Sequence, residues 1–227
     1  GPSYLGPKPQ NKTVEHVPSA DFIPSDTTNL QVGHKVEHQK FGFGDNFGLD
    51  ELYLKPSQYA NEAHLDLSSE VLLADTSYGQ GEMLMSPIHL ASSFTPFINE
   101  GKLVKPVLIE GKESTDPEVI ITPEAANTVK DALGEVVSRQ GGTAHTLNSI
   151  PGGLAGKTGT AELKAKKGEK GQENGFFVVF DTDTPTFLLS AVIEEVNGRG
   201  GSHYVVDKLK PFLEKLEMPD GENIAEE

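Results

Sequence analysis

The tightest constraint on the fold is an order of elements in the C-terminal half: one strong helix, three strands close together, and a second strong helix. The stretch TPEAANTVKDALGEVVSRQGG (122–142) opens with Thr122 as a cap and Pro123 at the first helical position. Val129, Leu133, Val136 and Val137 form one apolar face, and Gly141-Gly142 give a stop. Leu154 to Leu163 then reads as a strand, with β-branched Thr158 and Thr160 alternating with small residues. The charged stretch KAKKGEKGQEN (164–174) predicts a solvated turn. Phe176–Phe180 and Thr186–Val196 are two further strands joined by the tight polar DTDTP (181–185), a hairpin signal. SHYVVDKLKPFLEKL (202–216) closes the fold as an amphipathic helix, with Val205, Leu209, Phe212 and Leu216 inward and Pro211 interrupting it. Strands joined so closely pair antiparallel, so the reading is α+β: an antiparallel sheet covered by helices.

Upstream the signals are sparser. Residues 1–35 are rich in Pro, Ser, Thr and Asn without a sustained period and read as an extended or divergent segment. The first residues, Gly1-Pro2-Ser3, read as a protease scar from recombinant expression. SPIHLASSFTPFINEGKL (86–103) starts as a helix with Ser86 as cap and Pro87 at the first position. Ile88, Ala91, Phe94 and Ile98 line its apolar face, Pro96 breaks it and Gly101 ends it. The organisation is therefore an N-terminal segment (1–35), one domain (36–216) and a disordered acidic tail (217–227).

Composition excludes several classes. A formal charge of -15 disfavours nucleic acid and anionic lipid as partners. The absence of cysteine removes disulfides, thiolate metal sites and a Cys nucleophile. The longest apolar runs, FFVVF (176–180) and FLLSAVI (187–193), are strand-sized and too short to cross a bilayer.

GGLAGKTGTAE (152–162) offers two chemistries. A phosphate-binding loop has the form G-x-x-x-x-G-K-[ST] between a strand and a helix. Gly156, Lys157 and Thr158 fit its end, but Pro151 stands where the first glycine belongs, and Gly159-Thr160 continue a strand rather than open a helix. The remaining reading is K-T-G on a strand, the third motif of penicillin-binding proteins and serine β-lactamases. Its surroundings carry this further. KFGFGDNFGLDELYLKPSQ (40–58), LLADTSYGQGEMLMSPIHLASSFTPFINEGKLVKPVL (72–108), TPEAANTVKDALGEVVSRQGGTAH (122–145), LAGKTGTAELK (154–164) and ENGFFVVFDTDTP (173–185) follow in order. Together, from about residue 40 to 216, they resemble the C-terminal part of a class B penicillin-binding protein transpeptidase domain. The finer resemblance is to the Gram-positive group that includes methicillin-resistance-type enzymes. Ser77 departs from the more usual Gly at its position.

The resemblance implies a transpeptidase-like fold, incomplete in this chain, and acyl transfer by a serine. In the family that serine attacks the D-Ala-D-Ala carbonyl of a peptidoglycan stem peptide and passes the acyl group to an amine; β-lactams trap the same serine. The substrate and partners implied are therefore D-Ala-D-Ala stem peptides, β-lactams and the missing N-terminal half of the domain. No cofactor is implied, and the location implied is the extracytoplasmic face of the bacterial membrane, through an anchor in a longer parent protein. Carried onto this sequence, Lys157 supplies charge and a place in the proton network, and the Thr158 and Thr160 hydroxyls bind the substrate carboxylate. Gly159 leaves room for substrate beside the strand, and the Thr160 N–H is an oxyanion-hole donor.

The rest of the family's site does not follow. No lysine has a serine three residues before it, and there is no S-x-N triplet. Thr27-Thr28-Asn29 and Thr146-Leu147-Asn148 are the T-x-N substitutes. Ser25-Asp26-Thr27 mimics S-x-N with the Asn lost, which leaves Ser25 as a candidate nucleophile or S-x-N remnant without a lysine base. The expectation is a chain that carries the K-T-G side and does not acylate by itself. Two rivals stand beside it. One is a non-catalytic pseudo-transpeptidase that binds cell-wall peptide. The other is a zinc hydrolase through HKVEH, with His34 and His38 as ligands and Glu37 as base; Gly33 and the FGFG that follows leave that motif only about two turns of helix.

Overall fold

The computed structural model describes residues 38–45, 55–60, 67, 69–111, 116–163, 171–183 and 185–217. Among the described residues, His38–Lys40 are helical and two further helices precede the C-terminal unit. Helix α1 (Glu70–Thr76) is capped by Ser69 Oγ, which accepts from the Leu72 N–H at 3.3 Å. Helix α2 (Pro87–Phe94) has Ser86 as its cap, accepting from the His89 N–H at 3.2 Å. Pro96 breaks it as expected, within a 3-10 turn over Thr95–Phe97, but the helix does not resume. Ile98 and Gly101, expected on its face and at its end, lie beyond it in a turn. A small antiparallel pair, β1 (Lys102–Leu103) with β2 (Glu118–Val119), was not foreseen from the sequence.

Helix α3 (Pro123–Ser138) begins where Thr122 and Pro123 place it, with the Thr122 hydroxyl accepting from the Ala125 N–H at 3.2 Å. It ends before the glycine pair, because Arg139 is already extended. That exit lets the Ala144 N–H return to the Val136 carbonyl at 3.1 Å. Strands β3 (Leu154–Leu163), β4 (Gln172–Asp181) and β5 (Leu188–Ile193) form one antiparallel sheet in that order. Lys157 pairs with Val178, and Val178 with Ser190. β5 is shorter than the Thr186–Val196 expected. At its entry the Asp181 carboxylate accepts both the N–H and the hydroxyl of Thr186, which holds the connection in place of a ladder. Helix α4 (Ser202–Glu217) carries Pro211 inside it.

Strand alternation divides the core. On one face Leu154, Phe177 and Val179 pack with Val205, Val206 and Leu213 of α4, with Val137 of α3 and with Ala144, Leu147 and Ile150. On the other, Ala155 and Phe180 pack with Leu133 of α3 and the partly buried Phe94, Phe97, Ile98 and Leu188. Gly175 of β4 permits the first contact: a Cβ there would stand 2.6 Å from Val205 Cγ2. The antiparallel sheet with helices on both faces is the expected α+β arrangement.

Three expected faces differ. In α3 the buried residues are Ala126, Leu133 and Val137, while Val129 is 37% exposed. In α4, Phe212 and Leu216 are exposed although they share Val205's side of the helix. The covered face runs instead through Val206, Leu209 and Leu213, which is fully buried one residue after Phe212, so Phe212 and Leu216 fall at the margin of that face. In α2 the buried residues are His89, Ser92 and Ser93, with Ile88, Ala91 and Phe94 half-buried. Backbone carbonyls make two of these polar burials tolerable: the Ser93 hydroxyl donates to Leu90 O at 2.8 Å and His89 Nε2 meets Phe41 O at 2.7 Å. The turn expected over 164–174 is too long, since Gln172, Glu173 and Asn174 already pair with β3 as the start of β4. Glu217, expected in the tail, ends helix α4. Residues 164–170 and 218–227 lie outside the described residues.

Candidate active site

β4 occupies one edge of β3, so β3 is an edge strand of this sheet among the described residues. Helix α3 contributes Leu133 to one core cluster and Val137 to the other, and thus straddles the outer side of the first part of β3. The consequence is a sharp gradient. Leu154, Ala155 and Gly156 are buried, whereas from Lys157 onward only Thr158 is. The strand emerges at K-T-G.

Alternation sends Lys157 and Gly159 to the α2 side of the sheet and Thr158 and Thr160 to the α4 side. Lys157 nevertheless turns back along its own strand, where its Nζ donates to the Thr158 carbonyl at 2.6 Å. Backbone groups two residues apart share an edge of a strand, so the Thr160 N–H points the same way as that carbonyl. The Lys157 ammonium and the Thr160 N–H are therefore brought to one edge from residues whose side chains leave opposite faces.

The two glycines of G-K-T-G have opposite surroundings. A Cβ at Gly156 would stand 2.3 Å from Val178 O and 3.1 Å from the Phe177 ring, so glycine is required by the sheet itself. A Cβ at Gly159 would meet only Phe176 Cβ, at 3.8 Å. Nothing described in the fold requires glycine there.

On the other face, Thr158 is 5% exposed and its hydroxyl lies 2.7 Å from that of Thr143. The Thr160 hydroxyl accepts the Ser202 N–H at 3.1 Å, tying β3 to the start of α4. Gly201 fits against it, since a Cβ there would be 2.9 Å from Thr160 Oγ1. Thr143 was not singled out from the sequence. The available signal was the glycine pair ahead of it, read only as a helix stop.

A family of proteins shares this organisation: a family model described as the penicillin binding protein transpeptidase domain matches residues 35–214. The chain belongs to this family. It is 45% identical over 177 residues to Penicillin-binding protein 3 of Bacillus subtilis (strain 168), covering 75% of this chain and 25% of that protein. It is 26% identical over 184 residues to the Peptidoglycan D,D-transpeptidase FtsI homolog of Mesostigma viride, covering 69% of this chain and 30% of that protein. The chain thus spans between a quarter and a third of these relatives. Among solved structures, PBPA from Mycobacterium tuberculosis superposes with a TM-score of 0.67 at 15% identity, over 85% of this chain and 44% of that one. The apo TP domain of Burkholderia pseudomallei penicillin-binding protein 3 gives 0.60 at 21% identity, over 78% and 56%. The transpeptidase fold is the one the motifs implied.

Other candidates of this transpeptidase domain fall elsewhere. Ser25, Thr27-Thr28-Asn29, His34 and Glu37 lie outside the described residues. His38 is described, and its ring stacks on Tyr59 at 4.7 Å and meets Phe43 edge-on at 5.2 Å. Thr146-Leu147-Asn148 sits in and after a 3-10 turn, with Leu147 fully buried in the α4-side core. Among the described residues no cluster of three or more His, Asp or Glu could hold a metal ion, and no helix is long and apolar enough to span a membrane.

Proposed function

We propose that this chain supplies the K-T-G side of a serine D,D-transpeptidase site for the D-Ala-D-Ala end of peptidoglycan stem peptides. The observation that carries this is the emergence of β3 at Lys157, with the Lys157 ammonium and the Thr160 N–H at one edge and open space over Gly159. Lys157 and the Thr160 hydroxyl hold the terminal carboxylate, Thr158 acts from beneath, and the Thr160 N–H faces the scissile carbonyl oxygen as negative charge develops on it. The serine that attacks this carbonyl, and the lysine that takes its proton, belong to an S-x-x-K motif that these 227 residues do not contain. In the complete site the acyl group passes to that serine as D-Ala leaves, and then to an amine. β-Lactams, whose carboxylate occupies the same place, are the inhibitors expected. The location that follows is the extracytoplasmic face of the membrane, on an anchored parent.

The test is binding rather than turnover. N-acetyl-D-alanyl-D-alanine should bind saturably, and its C-terminal amide about tenfold more weakly, since a charge-assisted contact is lost. Lys157→Ala should erase that difference while the unfolding midpoint stays put. Equal binding of acid and amide by the unaltered protein would sink the reading. Binding without dependence on Lys157 would favour a cell-wall peptide-binding module instead.

A further inference from the structure

We propose that Thr143 is a positioning residue for the substrate carboxylate, acting through the Thr158 hydroxyl; this rests on the transpeptidase reading above. Lys157, Thr158 and Thr160 are where a K-T-G-T strand puts them. Thr143 comes from a different segment, 15 residues earlier, and its arrival at Thr158 is built with some care. Gly141 adopts a left-handed backbone (φ +89°), which glycine takes without strain. At Gly142 a Cβ would stand 2.3 Å from Val136 O, so no side chain fits. Ala144, fully buried, sends its N–H to the same Val136 carbonyl at 3.1 Å. His145 Nδ1 meets Val137 O at 3.0 Å. Everything on either side of Thr143 is thus pinned to the end of α3, and Thr143 is left exposed with its hydroxyl 2.7 Å from that of Thr158.

The chemistry lies in the direction of the proton. A threonine hydroxyl has one hydrogen to donate and two lone pairs. In a hydroxyl pair only one member donates to the other. If Thr158 gave its proton to Thr143, it would present a lone pair to a carboxylate and repel it. An exposed Thr143 can donate inward to Thr158, which leaves the single Thr158 proton free for the anion. A chain running Thr143 to Thr158 to carboxylate has each bond polarising the next. Buried Thr158 has no bulk water to reorient it, so Thr143 decides which way it points. The neutral amide end of a capped peptide offers a donor as well as an acceptor, and would not depend on that direction.

The experiment measures the affinity of the 227-residue protein for N-acetyl-D-alanyl-D-alanine and for its C-terminal amide by NMR titration. Three proteins are compared: the unaltered chain, Thr143→Val and Thr143→Ser. We expect Thr143→Val to weaken the acid about three- to fivefold and leave the amide unchanged, as loss of one cooperative hydroxyl implies. Thr143→Ser restores the hydroxyl and should return acid binding to within about twofold of the original. Thr143→Val binding the acid as tightly as the unaltered protein would overturn the proposal. So would equal weakening of acid and amide, which a merely structural pin produces. If Thr143→Val does not fold, Thr143→Ala, which removes the hydroxyl with less bulk, takes its place. Failure of the unaltered protein to prefer the acid is a different result, and it removes the transpeptidase reading itself.

Discussion

The two halves of β3 teach the most about how this fold serves a site. From Leu154 to Gly156 the strand is core: buried on both faces, flanked by α3, and so tightly paired that Gly156 has no space for a methyl group. From Lys157 the same strand, in the same register with β4, stands open. The buried half holds the strand rigid, and the open half presents an edge whose free groups a ligand can use. Loop-borne sites gain adaptability at the cost of precision; here precision comes from continuing a core strand past the point where the core ends.

Substitutions at the two glycines should separate the halves. Gly156→Ala drives a methyl group into the Val178 carbonyl and should cost about 1–3 kcal/mol of stability or more, seen as a lowered midpoint in chemical denaturation. A smaller effect is a pH lever belonging to neither half. Burial of His89 pushes its imidazole below the usual range, against the raising influence of the Phe41 carbonyl and Asp45. The unfolded chain then binds the proton more tightly than the folded one. Stability should be level above the ordinary His value, about 6.5, and fall as pH drops from there toward the depressed folded value, by at most about 1.4 kcal/mol per pH unit. His89→Gln should flatten this slope, and the slope should be the same in every β3 variant, since it does not pass through the sheet. An unchanged slope in His89→Gln would assign the acid sensitivity elsewhere. The smallest stability effect is at the open half: Gly159→Ala should shift stability by no more than about 0.5 kcal/mol, since its methyl group meets only Phe176. It should nonetheless weaken binding of the D-Ala-D-Ala probe, because the space it fills is the space a ligand needs. If Gly159→Ala destabilised the protein as much as Gly156→Ala, the division of β3 would be wrong.

Much of this was legible because the informative residues act locally. Ser86, Thr122, Pro87 and Pro123 fix helix starts by satisfying or dispensing with backbone donors, and the structure puts those starts where the residues do. Strand β3 matches its expected span for a similar reason. What the sequence concealed depends on distant partners. Phe212 and Leu216 continue an apolar stripe from Val205, but which side of a helix is covered depends on how it is set against the sheet, and here Val206, Leu209 and Leu213 take that place. The inward Ser92, Ser93 and His89 of α2 run against hydrophobicity, and two of these are tolerated through carbonyls at Leu90 and Phe41. The motif itself showed Lys157, Thr158, Gly159 and Thr160; Thr143 escaped because its meeting with Thr158 depends on a turn closing over 15 residues.

The most direct test of the central claim is a map of where the ligand sits. Backbone amide shifts of the 227-residue protein should be followed during titration with N-acetyl-D-alanyl-D-alanine. The account predicts the largest perturbations at Lys157 to Thr160, with weaker ones at Thr143 and Ser202 and little change at Leu154 to Gly156. Perturbations centred elsewhere, or none at Lys157 to Thr160 while the peptide binds, would contradict it.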